Sequence, residues 1–226
     1  TVLDLPTAFW HQLTSALGAG GLVLPPTVRL VIIGGEAALP DRLAAWHGAT
    51  NGSVRLVNTY GPTETTVVAT VADLTGLQIK DASEGRIPIG RPLPHLKAYI
   101  LDAHGHAVPD GVSGELHVGG AALARGYLNR PDLTDEKFIS DPFSGDPDAR
   151  LYKTGDVARF SSNGDIEFLG RIDRQVKVRG FRVELSGIES TLNGLPDVQE
   201  SVVVARGERA RTFKLVAYLV ACDGVV

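Results

Sequence analysis

The sequence predicts part of an α/β core, then a small distorted β-barrel, then the start of an α+β subdomain. Three observations lead there. Leu30-Val31-Ile32-Ile33 is a wholly apolar run closed by Gly34-Gly35, which suits a strand buried on both faces of a parallel sheet. From about residue 86 apolar and polar residues alternate in short segments cut by turn residues, the pattern of antiparallel strands. After residue 170 a strand, an amphipathic helical stretch and two more apolar strands follow. The expected boundaries are 1–85 for the end of the α/β core, 86–170 for the barrel-like part, 171–173 for a hinge and 174–226 for the last subdomain.

In the first part, Pro40 can open a helix, with Leu43, Ala44 and Trp46 as its buried side and Gly48 and Asn51-Gly52 as its stop. A second apolar strand at 54–57 completes strand, helix, strand, the order of a right-handed parallel crossover. Open parallel sheets bind ligands beyond the carboxyl ends of their strands. The crossover therefore brings two loops side by side there, Gly34-Gly35-Glu36-Ala37 and Asn58 through Glu64. In the barrel-like part, strands are expected at 98–102, 114–119, 156–160 and 165–169, with Ser161-Ser162-Asn163-Gly164 as a hairpin turn because Asn-Gly tolerates positive backbone angles. The last part predicts a strand at 175–179, a helix from about Ser186, and strands at 201–205 and 213–220. Ser186 and Glu189 have capping-box spacing, and Ile188, Leu192 and Leu195 recur at helical spacing.

Composition narrows the function classes. The 226 residues carry 22 Lys and Arg against 26 acidic residues, a formal net charge of −4. The cations are scattered, so no basic face is offered to nucleic acid or to an anionic membrane. Cys222 is the single cysteine and cannot form an internal disulfide, no CxxC or His-rich cluster suggests structural zinc, and the six histidines show no metal spacing. The chain reads as cytosolic. The amino terminus lacks a signal-peptide layout, and no apolar run is long enough to span a bilayer. The chain contains no methionine, which reads as a stretch of a longer polypeptide.

The densest chemical signal is Asn58-Thr59-Tyr60-Gly61-Pro62-Thr63-Glu64-Thr65-Thr66. A tyrosine can stack on a purine, a threonine hydroxyl can donate to a phosphate oxygen, and a glutamate can hold Mg²⁺. A turn closed by its own polar groups is the other reading of the same composition. The segment resembles the "YGPTE" signature of adenylate-forming enzymes, and three more blocks match in that family's order. Gly114-Glu115-Leu116-His117-Val118-Gly119-Gly120, continuing through Leu123-Ala124-Arg125-Gly126-Tyr127-Leu128, resembles "GELxIxGxGLARGYL". Tyr152-Lys153-Thr154-Gly155-Asp156 resembles "YKTGD", and Gly170 through Leu185 resembles "GRxDxQVKIRGxRIEL". The style of the match is that of adenylation domains of nonribosomal peptide synthetases, within the acyl-CoA synthetase and luciferase-like superfamily.

The resemblance implies an incomplete adenylate-forming fold and a set of roles. Asn58 and Tyr60 contact adenine, with the backbone of Gly35, Glu36 and Ala37 lining the same slot. Thr63 binds the α-phosphate and Glu64 the Mg²⁺. Asp156 accepts the ribose hydroxyls, Arg171 reaches the ribose side, and Asp173 is the hinge. A local ion pair of Arg171 with Asp173 is the plainer alternative. Lys177 and Gly180 lie on a loop presented to the phosphopantetheine arm of a peptidyl carrier protein, although Gly180 also suits a simple turn. Ile32, Gly34, Thr59, Val67 and Val68 line the acid pocket, so the expected substrate is an apolar amino acid or the related 2-keto or 2-hydroxy acid. Glu115 reads as structural. The family's phosphate loop is expected before residue 1 and its late lysine after residue 226, so this stretch alone is expected to be inactive. An acyl-CoA ligase using free coenzyme A and a non-catalytic scaffold are the competing readings.

Overall fold

The computed structural model describes residues 1–77, 86–173, 175–178, 181–206 and 214–222. The chain divides into two compact units, Thr1–Ile172 and Asp173–Val226.

The first unit opens with β1 (Val2–Pro6), α1 (Thr7–Gly18), β2 (Leu30–Gly34), α2 (Pro40–Thr50) and β3 (Arg55–Tyr60). A 3-10 turn at Thr63–Thr65, β4 (Thr70–Asp73) and β5 (Arg91–Pro92) follow. The sheet order is β1-β2-β3-β4-β5, parallel across β1, β2 and β3 and antiparallel beyond. Strand alternation sends Val31, Ile33 and Leu56 into a core with Trp10, Leu43 and Trp46. Helix α2 forms where the sequence predicts, with Pro40 in its first turn, but it runs through Gly48 to Thr50, and only Asn51 ends it, in the left-handed conformation at φ 47°. Ala44 is exposed rather than buried. It sits about 100° round the helix from Leu43, whereas Trp46 and Thr50 continue the buried stripe. Helix α1 escapes the sequence reading because Pro6 precedes it with no side-chain cap. Burial of Trp10, His11 and Thr14 holds it instead.

The remainder of this unit is antiparallel, built from β6 (Leu96–Leu101), β7 (Gly114–Gly120), β8 (Phe138–Ser140), β9 (Arg150–Phe160) and β10 (Ile166–Arg171), with a short helix α3 (Pro131–Lys137). The order is β10-β9-β7-β6, and β8 pairs with β9. The Ser161–Gly164 turn forms as expected: Gly164 N–H donates to Ser161 O at 2.8 Å, with Gly164 at φ 83°. Its core joins Leu96, Ile100, Leu116, Val118, Ala158 and Ile166.

The two sheets meet at Gly90. Ile166 N–H donates to Gly90 O and Ile89 N–H to Ile166 O, both at 2.8 Å. A Cβ on Gly90 would lie 2.0 Å from Val71 O, so a side chain there would push the Gly90 segment off β4 and disturb the point where the sheets join.

Among its described residues the second unit contains two antiparallel strand pairs and one helix: β11 (Val176–Val178), β12 (Phe181–Val183), α4 (Leu185–Asn193), β13 (Val198–Arg206) and β14 (Lys214–Ala221). The capping box predicted from Ser186 and Glu189 does not form. Helix α4 already begins at Leu185 with no side-chain cap, and Glu189 Oε1 instead accepts the Val203 N–H of β13 at 2.7 Å. The strand donor, part-buried, takes the carboxylate that the cap would have used. Leu195 lies beyond the helix and is exposed.

Gly90 and Gly105 share φ 81°, but a Cβ on Gly105 meets nothing within 4 Å. Gly90→Ala is expected to destabilise the polypeptide by about 2–5 kcal/mol, from backbone strain plus overpacking. Gly105→Ala carries the strain alone, about 1–2 kcal/mol. Denaturant unfolding of both variants checks the difference.

Candidate functional site

The ends of β2 and β3 pair Gly34 with Thr59. A Cβ on Gly34 would come within 2.4 Å of Thr59 Oγ1, and that hydroxyl donates to Ile33 O at 2.9 Å. Glycine is therefore required for the strands to end together. Gly35 follows at φ 91°, turning the chain so that Glu36 and Ala37 border the same strand ends. Glu36 Oε1 is shielded from solvent with no hydrogen-bond partner among the described residues.

Asp156, on β9, is the centre of the arrangement. It pairs in register with Arg171 of β10. Arg171 Nη1 donates to Asp156 Oδ1 at 2.6 Å, and the Tyr60 hydroxyl at the end of β3 donates to Asp156 Oδ2. Arg171 and Asp156 side chains are only 18% and 8% exposed. Removing either member of such a pair leaves an uncompensated buried charge, a cost of about 3–5 kcal/mol. The backbone beneath is also fixed: Asp156 N–H donates to Thr154 Oγ1 at 3.0 Å, and that hydroxyl donates to Leu116 O at 2.7 Å. Gly155, at φ 71°, donates its N–H to Glu115 Oε1 at 3.0 Å, so Glu115 braces the irregular stretch of β9 where its register with β7 shifts, a structural task. Burial pushes the Tyr60 phenol well above its ordinary range, and the negative charge of Asp156 pushes it further.

The structure thus gives Arg171 a partner on the neighbouring strand, Asp156, 15 residues away, beyond the local pair with Asp173 that the sequence suggested. Asp173 Oδ1 accepts the Gln175 N–H at 3.1 Å.

Glu64 lies on the 3-10 turn and is buried. Beyond it Thr66 and Val67 adopt left-handed conformations at φ 59° and 72°. These β-branched residues are strained there by about 1–3 kcal/mol each. Neighbouring bonds hold the strain in place: Thr66 Oγ1 donates to Ala122 O at 2.7 Å, and Ala69 N–H to Tyr60 O at 2.7 Å. The Tyr127 hydroxyl donates to Glu64 Oε1 at 2.7 Å and lies 3.3 Å from the Tyr152 hydroxyl. Sequence reasoning did not single out Tyr127 or Tyr152 as site residues. Their signal was membership of two of the matched blocks.

Of the remaining expected residues, Thr63 is exposed at the turn. Asn58 is buried, and its Nδ2 donates to Pro88 O at 2.9 Å, so this amide nitrogen anchors the neighbouring segment. Ile32, Gly34 and Thr59 share one face of the sheet by strand alternation and register. Val68 is half-buried, and Val67 stands 70% exposed. The side chain of Lys177 and the whole of Gly180 lie outside the described residues.

The family model described as "AMP-binding enzyme" matches residues 1–128. The chain belongs to the AMP-binding enzyme family. One of the linear gramicidin synthase proteins of Brevibacillus parabrevis is 51% identical over 199 residues, covering 88% of this chain and 2% of that protein. Malpibaldin synthetase of Mortierella alpina is 44% identical over 223 residues, covering 97% of this chain and 4% of that protein. An artificially fused adenylation-PCP di-domain from Klebsiella oxytoca superimposes with a TM-score of 0.79 at 27% identity, covering 100% of this chain and 40% of that one. The chain therefore spans a small part of these synthetases and under half of the solved relative.

In this member of the AMP-binding enzyme family two acidic residues are held by tyrosine hydroxyls. Asp156 pairs with the Arg171 cation and accepts from the Tyr60 phenol, and the Glu64 carboxylate accepts from the Tyr127 phenol. Among the described residues no group of three or more His, Cys, Asp or Glu could hold a metal by itself. Mg²⁺ commonly takes one or two carboxylates and completes its shell with phosphate and water, so a single carboxylate such as Glu64 fits that ion. His11 Nε2 accepts the Leu39 N–H, the rings of His47 and His117 bond backbone carbonyls, and His95, His104 and His106 are exposed. No described helix is long and apolar enough to cross a membrane.

Because the native state favours the neutral Tyr60 phenol, its contribution to stability is complete below about pH 10, the ordinary tyrosine value. It is lost as pH rises from there through the higher native value. Denaturant midpoints are expected to fall above pH 10, and Tyr60→Phe should flatten that slope by up to about 1.4 kcal/mol per pH unit. An unchanged slope in the variant contradicts the assignment.

Proposed function

We propose that this chain is part of an adenylation module that activates a carboxylic acid with ATP and Mg²⁺ and hands the acyl group to the phosphopantetheine thiol of a peptidyl carrier protein. The observation that carries this reading is the Tyr60–Asp156–Arg171 cluster, set where β3 of the parallel sheet ends. A carboxylate has about four acceptor positions, so Asp156 can hold Tyr60 and Arg171 and still accept a ribose diol. Tyr60 and the backbone of Gly35, Glu36 and Ala37 offer a surface for adenine, with Asn58 bracing it from behind. Thr63 is exposed beside Glu64 and suits the α-phosphate.

In the proposed first step the substrate carboxylate oxygen attacks the α-phosphorus in line, forming the acyl–phosphate bond as pyrophosphate leaves. Little covalent work falls to the protein, so positioning and charge complementarity carry the rate. Mg²⁺, held by Glu64, would supply charge neutralisation at the phosphates. In the second step the carrier thiol displaces AMP from the acyl carbonyl. Asp173 is proposed as the hinge, with Lys177 of β11 and Gly180 proposed to meet the incoming thiol, and the boundaries near residues 85, 170 and 174 belong to the same reading.

For the acid, Ile32, Gly34, Thr59, Val67 and Val68 offer apolar side chains and one hydroxyl. The Thr59 hydroxyl is already donated to Ile33 O, which leaves shape as the main discriminator. An apolar amino acid or its 2-keto or 2-hydroxy counterpart suits such a wall, each methylene counting for about 1–3 kcal/mol. The likeness to gramicidin synthase and malpibaldin synthetase, of which this chain spans 2% and 4%, supports a place within a large synthetase, and the solved adenylation-PCP di-domain supports a carrier-protein partner.

ATP–pyrophosphate exchange by the full-length protein tests the proposal, with aliphatic and aromatic amino acids and their 2-keto and 2-hydroxy analogues. Exchange is expected with one apolar acid and should drop by about 100-fold or more in Asp156→Ala. Absence of exchange with every acid in the folded full-length protein contradicts it.

A further inference from the structure

Tyr127 lies outside the residues that the proposed chemistry uses around the nucleotide, yet it makes a hydrogen bond that sets the attitude of Glu64. Its hydroxyl donates to Glu64 Oε1 at 2.7 Å. The tyrosine is itself rigidly mounted. Its N–H donates to Thr134 Oγ1 at 2.9 Å, and its ring packs edge-on against Phe138, with centroids 5.8 Å apart. Gly126 precedes it at φ 148°, where a Cβ would press within 2.4 Å of Thr134 Cγ2. Arg150 braces the same loop by donating to Ala124 O and Arg125 O, each at 3.0 Å.

The loop is also tied to the Glu64 turn without the phenol. Ala124 N–H donates to Glu64 O at 2.8 Å, and Thr66 Oγ1 donates to Ala122 O at 2.7 Å. These bonds act on backbone carbonyls and fix where the turn sits. The Tyr127 hydroxyl acts on the carboxylate itself. A donor on one oxygen restricts rotation of the carboxylate and fixes the direction presented by the other. Groups that orient a metal ligand in this way commonly govern its affinity.

We propose that Tyr127 is a positioning residue for Glu64, orienting its carboxylate toward the divalent cation that accompanies the nucleotide phosphates. The inference rests on the proposed nucleotide function, in which Glu64 is the cation ligand. Tyr127→Phe removes the hydroxyl and keeps the ring, so the packing against Phe138 and both ties to the turn remain.

The test is Mn²⁺ binding to the complex of the full-length protein with ATP, read by water-proton relaxation, alongside the Mg²⁺ dependence of exchange. Tyr127→Phe is expected to weaken Mn²⁺ binding about ten-fold and to raise the Mg²⁺ requirement, with the KM for the acid unchanged. Tyr152→Phe leaves the Tyr127–Glu64 bond in place and should bind Mn²⁺ as the unaltered protein does. Unaltered Mn²⁺ affinity in Tyr127→Phe overturns the proposal, as does an equal loss in Tyr152→Phe, which would mark a general loosening of the loop. Glu64→Gln separates the two levels. If it loses Mn²⁺ while Tyr127→Phe keeps it, only the positioning role fails. If Glu64→Gln itself keeps Mn²⁺, the ligand role of Glu64 fails, and the positioning role with it.

Discussion

The Asp156 carboxylate is the tie on which the candidate site depends. One oxygen is held by Arg171 and the other by Tyr60, so a single buried anion links the end of β3 in one sheet to β9 and β10 in the other. A buried charge is costly unless paired and hydrogen-bonded, and here a cation and a phenol meet that requirement together. The same constraint explains the residues beneath it. Thr154 and Glu115 hold the backbone of Gly155 and Asp156, fixing the point from which the carboxylate projects.

Positioning in the rest of this unit follows from keeping the two sheets in contact. The seam at Gly90 admits no side chain because Val71 O occupies the space, and the bonds to Ile166 make it continuous. On the other flank, the 122–127 loop reaches across to the strained turn that carries Glu64. The left-handed Thr66 and Val67 persist because these cross-sheet bonds hold them there. Backbone strain of this kind concentrates where a chain must present particular groups in one arrangement, and here it lies directly after Thr63 and Glu64.

Much of this was legible in the sequence, and the failures have physical causes. The crossover through α2 was readable because Pro40, the Leu43 and Trp46 stripe and Asn51-Gly52 all agree with one helix. Helix α1 was not, since it lacks a start signal and depends on tertiary burial of Trp10 and Thr14. The capping spacing of Ser186 and Glu189 misled because a strand N–H competed for the glutamate. In the site, the residue types at 58–64 and 156 announced polar chemistry. Their partners could not be read, because the pairing of Asp156 with Tyr60 joins positions 96 residues apart. Tyr127 was hidden for the same reason: its partner Glu64 is 63 residues away.

The central claim is that Asp156, already holding Tyr60 and Arg171, also receives the nucleotide. A crystal structure of the full-length protein with bound AMP tests it most directly. The account predicts the ribose hydroxyls within hydrogen-bond distance of the Asp156 carboxylate, with the Arg171 pair intact and the adenine beside Tyr60. AMP bound elsewhere, with the Asp156 cluster unaltered and out of reach, would contradict it.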